Sequence, residues 1–302
     1  VVWHIFCFVC FDASTHIYSM TPQQKTTTAA PVRVACCQIE PVIGEKKANL
    51  AKTAEFIERA ALQGANIIVL PELCSSGYVF ESRAEAISLS DAYLDGESTN
   101  LWADLAQDLN VYIVAGFTER SENTLYNSAA VLGPKGRIGL YRKVHLWGDE
   151  NLFFSPGDLG FPVFATEHGT IGVLICYDGW FPESYRRCAL QGAELVCVPT
   201  NWVPIPGQDM KREAMANILT MASSHTNSIY IAAADRIGTE RGQSFIGQSL
   251  ITSHTGWPIG EPASASEEQI IFADLDLVQA KRARRWNDFN QVLRDRRPEA
   301  YI

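Results

Sequence analysis

The feature that most restricts the fold of this chain is a repeat: ALQGANIIVLPE at 61–72 returns as ALQGAELVCVPT at 189–200, a constant offset of 128 residues. VYIVAGFTE (111–119) is echoed by IYIAAADRI (229–237), and NSAAVLGPKGRIG (127–139) more faintly by GQSLITSHTGWPIG (247–260). Two similar halves are implied. Within each, helical and strand periods alternate, and the strands are too apolar on both faces to leave one in water. The economical solution stacks the two sheets face to face and covers their outer faces with helices. This predicts an α/β four-layer α-β-β-α sandwich forming one domain over residues 31–302.

The regular pattern starts at Val32. VRVACCQI reads as a strand, KKANLAKTAEFIERAALQG as an amphipathic helix, ANIIVLPE as a buried strand, TNLWADLAQDLN as a helix and VYIVAGF as a strand. NSAAVLGPKGRIGLYRKVHL reads as two antiparallel strands around a Gly-Pro-Lys-Gly turn. That segment does not cradle phosphate, because it lacks both the glycine spacing and the following helix.

A formal net charge of −9 over 302 residues leaves no basic face to neutralise phosphates, so nucleic acid is not expected as a partner. Eight cysteines without framework spacing, and no Asn-x-Ser/Thr, point to reduced thiols and a cytoplasmic setting. The apolar start, residues 1–19, lacks the charged opening of a signal peptide and is too short to span a bilayer; residues 1–30 are read as an extension outside the core, with no membrane association. Its CFVC pair has dithiol spacing but no second pair for zinc. No metal or cofactor is expected.

Three residues stand where apolar runs give way to polar turns. Cys176 ends TIGVLIC, and the following YDGWFPE leaves strand periodicity at once. Backbone N–H groups at such a strand-to-helix bend favour thiolate and can hold an oxyanion. Glu72, in LPEL, follows a buried strand where desolvation would raise its pKa towards neutrality, as a general base requires. Lys143, in LYRKVHL, lies in an apolar stretch where an unpaired ammonium is costly, so it needs a carboxylate or a substrate within reach. Each has a bland alternative: an inert core thiol, a helix-capping glutamate, a lysine reaching water from a sheet edge. His145 and His225, the usual bases for a thiol, have no obvious orienting carboxylate nearby in sequence.

VLPE, YRKVHL and LICYDGWFPE, in this order and at this separation, resemble the three signatures of the nitrilase superfamily of carbon–nitrogen hydrolases, from Val32 to the LRDRRPEAY tail. The resemblance implies the four-layer fold and a Glu72-Lys143-Cys176 triad. It further implies an assisting Glu150, with Asp149 adjacent, and a backbone oxyanion donor at Tyr177. It implies hydrolysis of a small amide or carbamoyl compound through a thioester, with a small aliphatic nitrile as the alternative. Tyr177-Asp178 after the nucleophile, where nitrile-cleaving relatives commonly carry Trp-Glu, leans towards amides. Gly179 and Trp180, where binders of carboxylate-bearing substrates often carry arginine, lean towards a neutral or cationic substrate. Tyr78, Trp180, Asn201 and Trp202 are candidate pocket walls. Two other readings stay open: a non-catalytic interaction module of the same fold, and a cysteine hydrolase using His145. The charged and aromatic tail, about 277–302, is expected at the interface of a homodimer or larger oligomer.

Overall fold

The computed structural model describes residues 31–209 and 213–301, and in them both copies of the repeat make the same three moves: helix end, glycine turn, buried strand. Readings made on residues 1–30, the CFVC pair among them, lie outside the described residues. In chain order the first half holds β1 (Val32–Gln38), α1 (Lys46–Leu62), β2 (Ile67–Val69), α2 (Arg83–Leu89), α3 (Glu97–Asp108), β3 (Tyr112–Ser121), β4 (Thr124–Gly133) and β5 (Gly136–Arg142). There follow α4 (Glu150–Phe153), β6 (Val163–Ala165), β7 (Thr170–Val173), α5 (Pro182–Leu190), β8 (Leu195–Pro199), α6 (Met215–Asn227) and β9 (Tyr230–Ala234). The chain continues through β10 (Thr239–Glu240), β11 (Gln243–Ser244), β12 (Leu250–Thr252), β13 (Gln269–Leu275) and α7 (Leu277–Ala283).

Helix α1 buries Leu50, Thr53, Phe56, Ile57 and Ala60, the 3–4 spacing of one helical face, and ends where Gly64 takes φ +84°. Its counterpart α5 starts on Pro182, whose missing N–H costs nothing in a first turn, and ends before Gly192 at φ +101°. The copies match bond for bond. Ala65 N donates to Ala60 O as Ala193 N does to Cys188 O, and Asn66 N donates to Arg33 O as Glu194 N does to Thr170 O. The repeat thus encodes a parallel β-helix-β crossover twice.

Strands run β13-β1-β2-β3-β4-β5 in one sheet and β12-β9-β8-β7-β6 in the other, with β1-β2-β3 and β7-β8-β9 parallel and their flanking strands antiparallel. Alternate residues separate the layers. Val34, Ile67, Val69 and Val114 share a buried core with Val196, Val198 and Ile231 of the second sheet. Ala35, Ile68 and Ile113 face outward beneath Leu50, Phe56 and Trp102 of α1 and α3. Tyr185, Cys188 and Ala189 seat α5 on the second sheet. The result is the four-layer α-β-β-α sandwich expected from the repeat. Both parallel sets end at one edge, where open α/β sheets hold their ligands.

One element departs from the sequence reading. The strand expected to end at Cys176 is paired as a ladder only to Val173; Leu174 N still bonds to Cys197 O, Ile175 stays extended, and the chain bends at Cys176. The C-terminal tail holds the seven-residue α7 and a 3₁₀ turn at Pro298–Ala300, and Trp286, Phe289 and Tyr301 in it stand exposed. No helix among the described residues is long and apolar enough to cross a membrane.

Candidate active site

Glu72 is delivered by the end of β2. Leu70 N still bonds to Val114 O of β3, Pro71 closes the ladder, and Leu73 turns away at φ +48°. The close approach depends on Gly116: a Cβ there would lie 2.6 Å from Glu72 Cα and 2.6 Å from Pro71 O, backbone atoms that cannot yield. The Glu72 carboxylate is fully buried, and its pKa is raised to about 7. Burial is the main cause and Glu150 adds to it, while Lys143 and the hydrogen bonds from Lys143 and Asn127 oppose it.

Lys143 follows β5 directly, and Lys143 N donates to Asn127 O. Its ammonium is 0 % exposed, so it does not reach water from a sheet edge; Nζ lies 2.6 Å from both Glu72 Oε1 and Glu150 Oε1. Burial alone would lower the lysine pKa, but Glu150 and Glu72 overcome it and hold the group charged. Asn127 Nδ2 donates to Glu72 Oε1 at 2.6 Å, and the Tyr78 hydroxyl donates to Glu150 Oε1 at 2.6 Å. Burial, then Glu150, keep that phenol protonated. The Tyr78 loop is itself fixed, because Glu240 Oε1 accepts from Tyr78 N and Val79 N while Glu240 Oε2 pairs with the buried Arg236. Glu72 Oε2 has no hydrogen-bond partner among the described residues.

Cys176 opens the short 3₁₀ turn Cys176–Trp180 with φ +45°, the left-handed region that a residue with a side chain enters at a cost. Asp178 holds it there. The buried carboxylate accepts from Ile175 N (3.0 Å) and the Tyr141 hydroxyl (2.6 Å) at Oδ2, and from His145 N (3.0 Å) and His145 Nδ1 (2.8 Å) at Oδ1. The His145 ring lies flat on Phe181, centroids 3.7 Å apart. His145 therefore does have a carboxylate partner, from 33 residues away, and the pair braces the bend. The thiol pKa is raised, by burial first and then by Glu72, with Lys143 opposing. Burial thus favours the protonated thiol, which needs a base to become the nucleophile.

An open cleft of about 270 Å³, its solvent mouth included, is lined by Cys176, Trp147, Tyr177, Trp180, Asn201 and Trp202, with Val203 and Ile205. Three of the four expected pocket walls, Trp180, Asn201 and Trp202, meet the thiol there. Tyr78 does not; it lines a second open cleft of about 730 Å³, its solvent mouth included, with Phe80, Asp149, Glu150 and Phe153, that shares Trp147 and Val203 with the first. Among the described residues no three His, Cys, Asp or Glu side chains are grouped to hold a metal ion. Sequence reasoning missed Asn127, Gly116 and the bracing role of Asp178. Asn127 carried a signal, a polar residue inside the apolar strand NSAAVL; the other two depend on contacts between distant segments.

A carbon-nitrogen hydrolase family model matches residues 33–285. The chain is 44% identical over 272 residues to a nitrilase of Pyrococcus abyssi, covering 90% of this chain and 99% of that one. It is 36% identical over 300 residues to an N-carbamoylputrescine amidase of Solanum tuberosum, covering 93% and 96%. A variant amidase from Nesterenkonia sp. superposes with a TM-score of 0.73 at 26% identity, over 90% of this chain and 96% of that one; in it the acetamide moiety of fluoroacetamide is covalently added at the active-site cysteine. With sequence, fold and strand-edge geometry in agreement, this chain belongs to the carbon–nitrogen hydrolase family of the nitrilase superfamily.

Proposed function

We propose that this chain is a thiol-dependent hydrolase that converts a small uncharged nitrile to the acid and ammonia, with Cys176 as nucleophile, Glu72 as general base and Lys143 as electrostatic stabiliser. The observation that carries the roles is the fully buried Glu72–Lys143–Glu150 cluster, electrostatically coupled to the Cys176 thiol. Glu72, near neutrality, takes the thiol proton as Sγ bonds to the nitrile carbon and a C≡N electron pair moves to nitrogen, which takes that proton back. Water, deprotonated by Glu72, adds to the thioimidate; the nitrogen is protonated, the C–N bond breaks and ammonia leaves. A second water then cleaves the thioester, returning the proton to sulfur. Glu150 orders that water and anchors Lys143. The ammonium of Lys143 and the Tyr177 N–H face the negative charge of the tetrahedral states, where losing one donor typically costs ~3–4 kcal/mol.

Nitrile takes precedence over amide for two reasons. The relative named a nitrilase is 44% identical over almost its whole length. The amide lean rested on the pair Tyr177-Asp178; Tyr177 lines the cleft, but the Asp178 carboxylate is spent on Tyr141, His145 and Ile175 rather than turned to a substrate. A small primary amide is the second reading, favoured by the amidase of like fold. The apolar cavity, with no charged wall among its lining residues, suits an uncharged acyl group either way. The test is ammonia release from butyronitrile and butyramide under identical conditions. Higher kcat/KM on the nitrile is expected; preference for the amide reverses the order, and release from neither refutes the reading.

A further inference from the structure

Asn201 carries an inference that rests on this reaction and says how the scissile nitrogen is recognised. The segment around it is held on both sides: Thr200 N donates to Ala234 O (3.0 Å), Trp202 N to Asp235 Oδ1 (2.9 Å), and Trp202 O accepts from Ile246 N (2.9 Å). Asn201 is 1% exposed and lines the cavity that contains Cys176. Its Nδ2 donates to the backbone carbonyl of Glu72 at 2.9 Å, a partner that can only accept. This fixes the amide orientation and leaves Oδ1 a buried acceptor without a protein donor. Leaving such an atom unpaired is unfavourable unless something donates to it. Asn201 and Cys176 line the same cleft, walled otherwise largely by indoles and aliphatic chains, so a ligand seated there is the group left to donate.

We propose that Asn201 Oδ1 is the acceptor for the N–H of the nitrogen being cleaved. A primary amide offers that N–H on binding. A nitrile nitrogen has no hydrogen, so the bond forms only once Sγ has added and the nitrogen has been protonated, in the thioimidate and the tetrahedral species that expels ammonia. One side chain thus acts on amides in both ground and transition states, and on nitriles in the transition state alone. Because the same amide group touches the Glu72 carbonyl, the nitrogen site and the base are held in register.

The test separates this role from simple anchoring of Glu72. With Asn201→Ala, KM for butyramide is expected to rise about tenfold, whereas for butyronitrile kcat falls about tenfold with KM unchanged. Equal kcat losses on both substrates with unmoved KM would make Asn201 a mere support for Glu72 and overturn the proposal, as would an unaffected enzyme. A second measurement needs no turnover. In the Cys176→Ala background, calorimetry is expected to give about tenfold weaker butyramide binding when Asn201→Ala is added, and equal butyronitrile binding. Equal butyramide affinity in the two proteins overturns the assignment. Failure of the hydrolytic reading, by contrast, would appear as no turnover in the unaltered protein.

Discussion

Replacing Asp178 with asparagine probes the brace that holds the nucleophile bend, and its cost follows from the bond list. Each carboxylate oxygen accepts two bonds, and in each pair one donor is a backbone N–H: Ile175 at Oδ2, His145 at Oδ1. The second donors adapt, since the Tyr141 hydroxyl can rotate and the His145 ring can change tautomer. The backbone donors cannot. Whichever oxygen becomes NH₂, one buried N–H faces another donor, at roughly 1–3 kcal/mol, and the remaining bonds lose their charge assistance. A destabilisation of about 3 kcal/mol is expected from urea unfolding followed by fluorescence. The brace also fixes φ +45° at Cys176. A displacement of the sulfur by about 1 Å costs on the order of 100-fold in kcat. The assay is kcat in protein shown to be folded at the working temperature. A variant within about 0.5 kcal/mol and threefold in kcat of the original would refute the brace.

Other outcomes follow from the same geometry. The acid limb of kcat/KM should titrate near 7, because the base works only when Glu72 is ionised and burial raises its pKa from 4.5 to about 7; a limb near 4.5 would contradict this. The sign for stability is opposite. A carboxyl with a raised folded pKa binds more protons folded than unfolded, so its contribution is complete below about 4.5 and is lost as pH climbs through 7. Unfolding free energies of the parent and Glu72→Gln should therefore diverge in favour of the variant across that window, and parallel curves would refute the assignment. Gly116→Ala should displace the Glu72 backbone and lower kcat by roughly 100-fold, with a stability loss of about 1–3 kcal/mol; a crystal structure with Glu72 unmoved would count against the close-approach argument. We also propose that the tail from 277 onward lies at a subunit interface, given exposed Trp286, Phe289 and Tyr301. Sedimentation should give at least twice the 33.4 kDa chain mass, reduced to one chain by Trp286→Ser with Phe289→Ser.

The framework was legible because it is local and doubled. Helix end, glycine and apolar run recur 128 residues apart, so two sheets could be inferred before any contact was known. Glu72 and Cys176 were legible as polar ends of buried runs, and Lys143 as a charge in an apolar stretch. What escaped depends on partners far along the chain. Asp178 looked like a clue to substrate, but its partners at 141, 145 and 175 make it a brace. Tyr78, read as a pocket wall, lines the neighbouring cleft, and the bond from its hydroxyl to Glu150, 72 residues on, had no local signal. Gly116 is a close-approach glycine only because β3 lies against the end of β2. The upward push on the thiol pKa could not be read from the bend alone, since it comes from burial and from the carboxylate of Glu72, 104 residues earlier in the chain.

The sulfur of Cys176 carries the proposed reaction. Its replacement by alanine removes one heavy atom, the sulfur, and leaves the buried Glu72–Lys143–Glu150 cluster intact, so the folded variant should retain its unfolding midpoint while ammonia release drops to the uncatalysed background. Turnover within about tenfold of the parent by folded Cys176→Ala would contradict it.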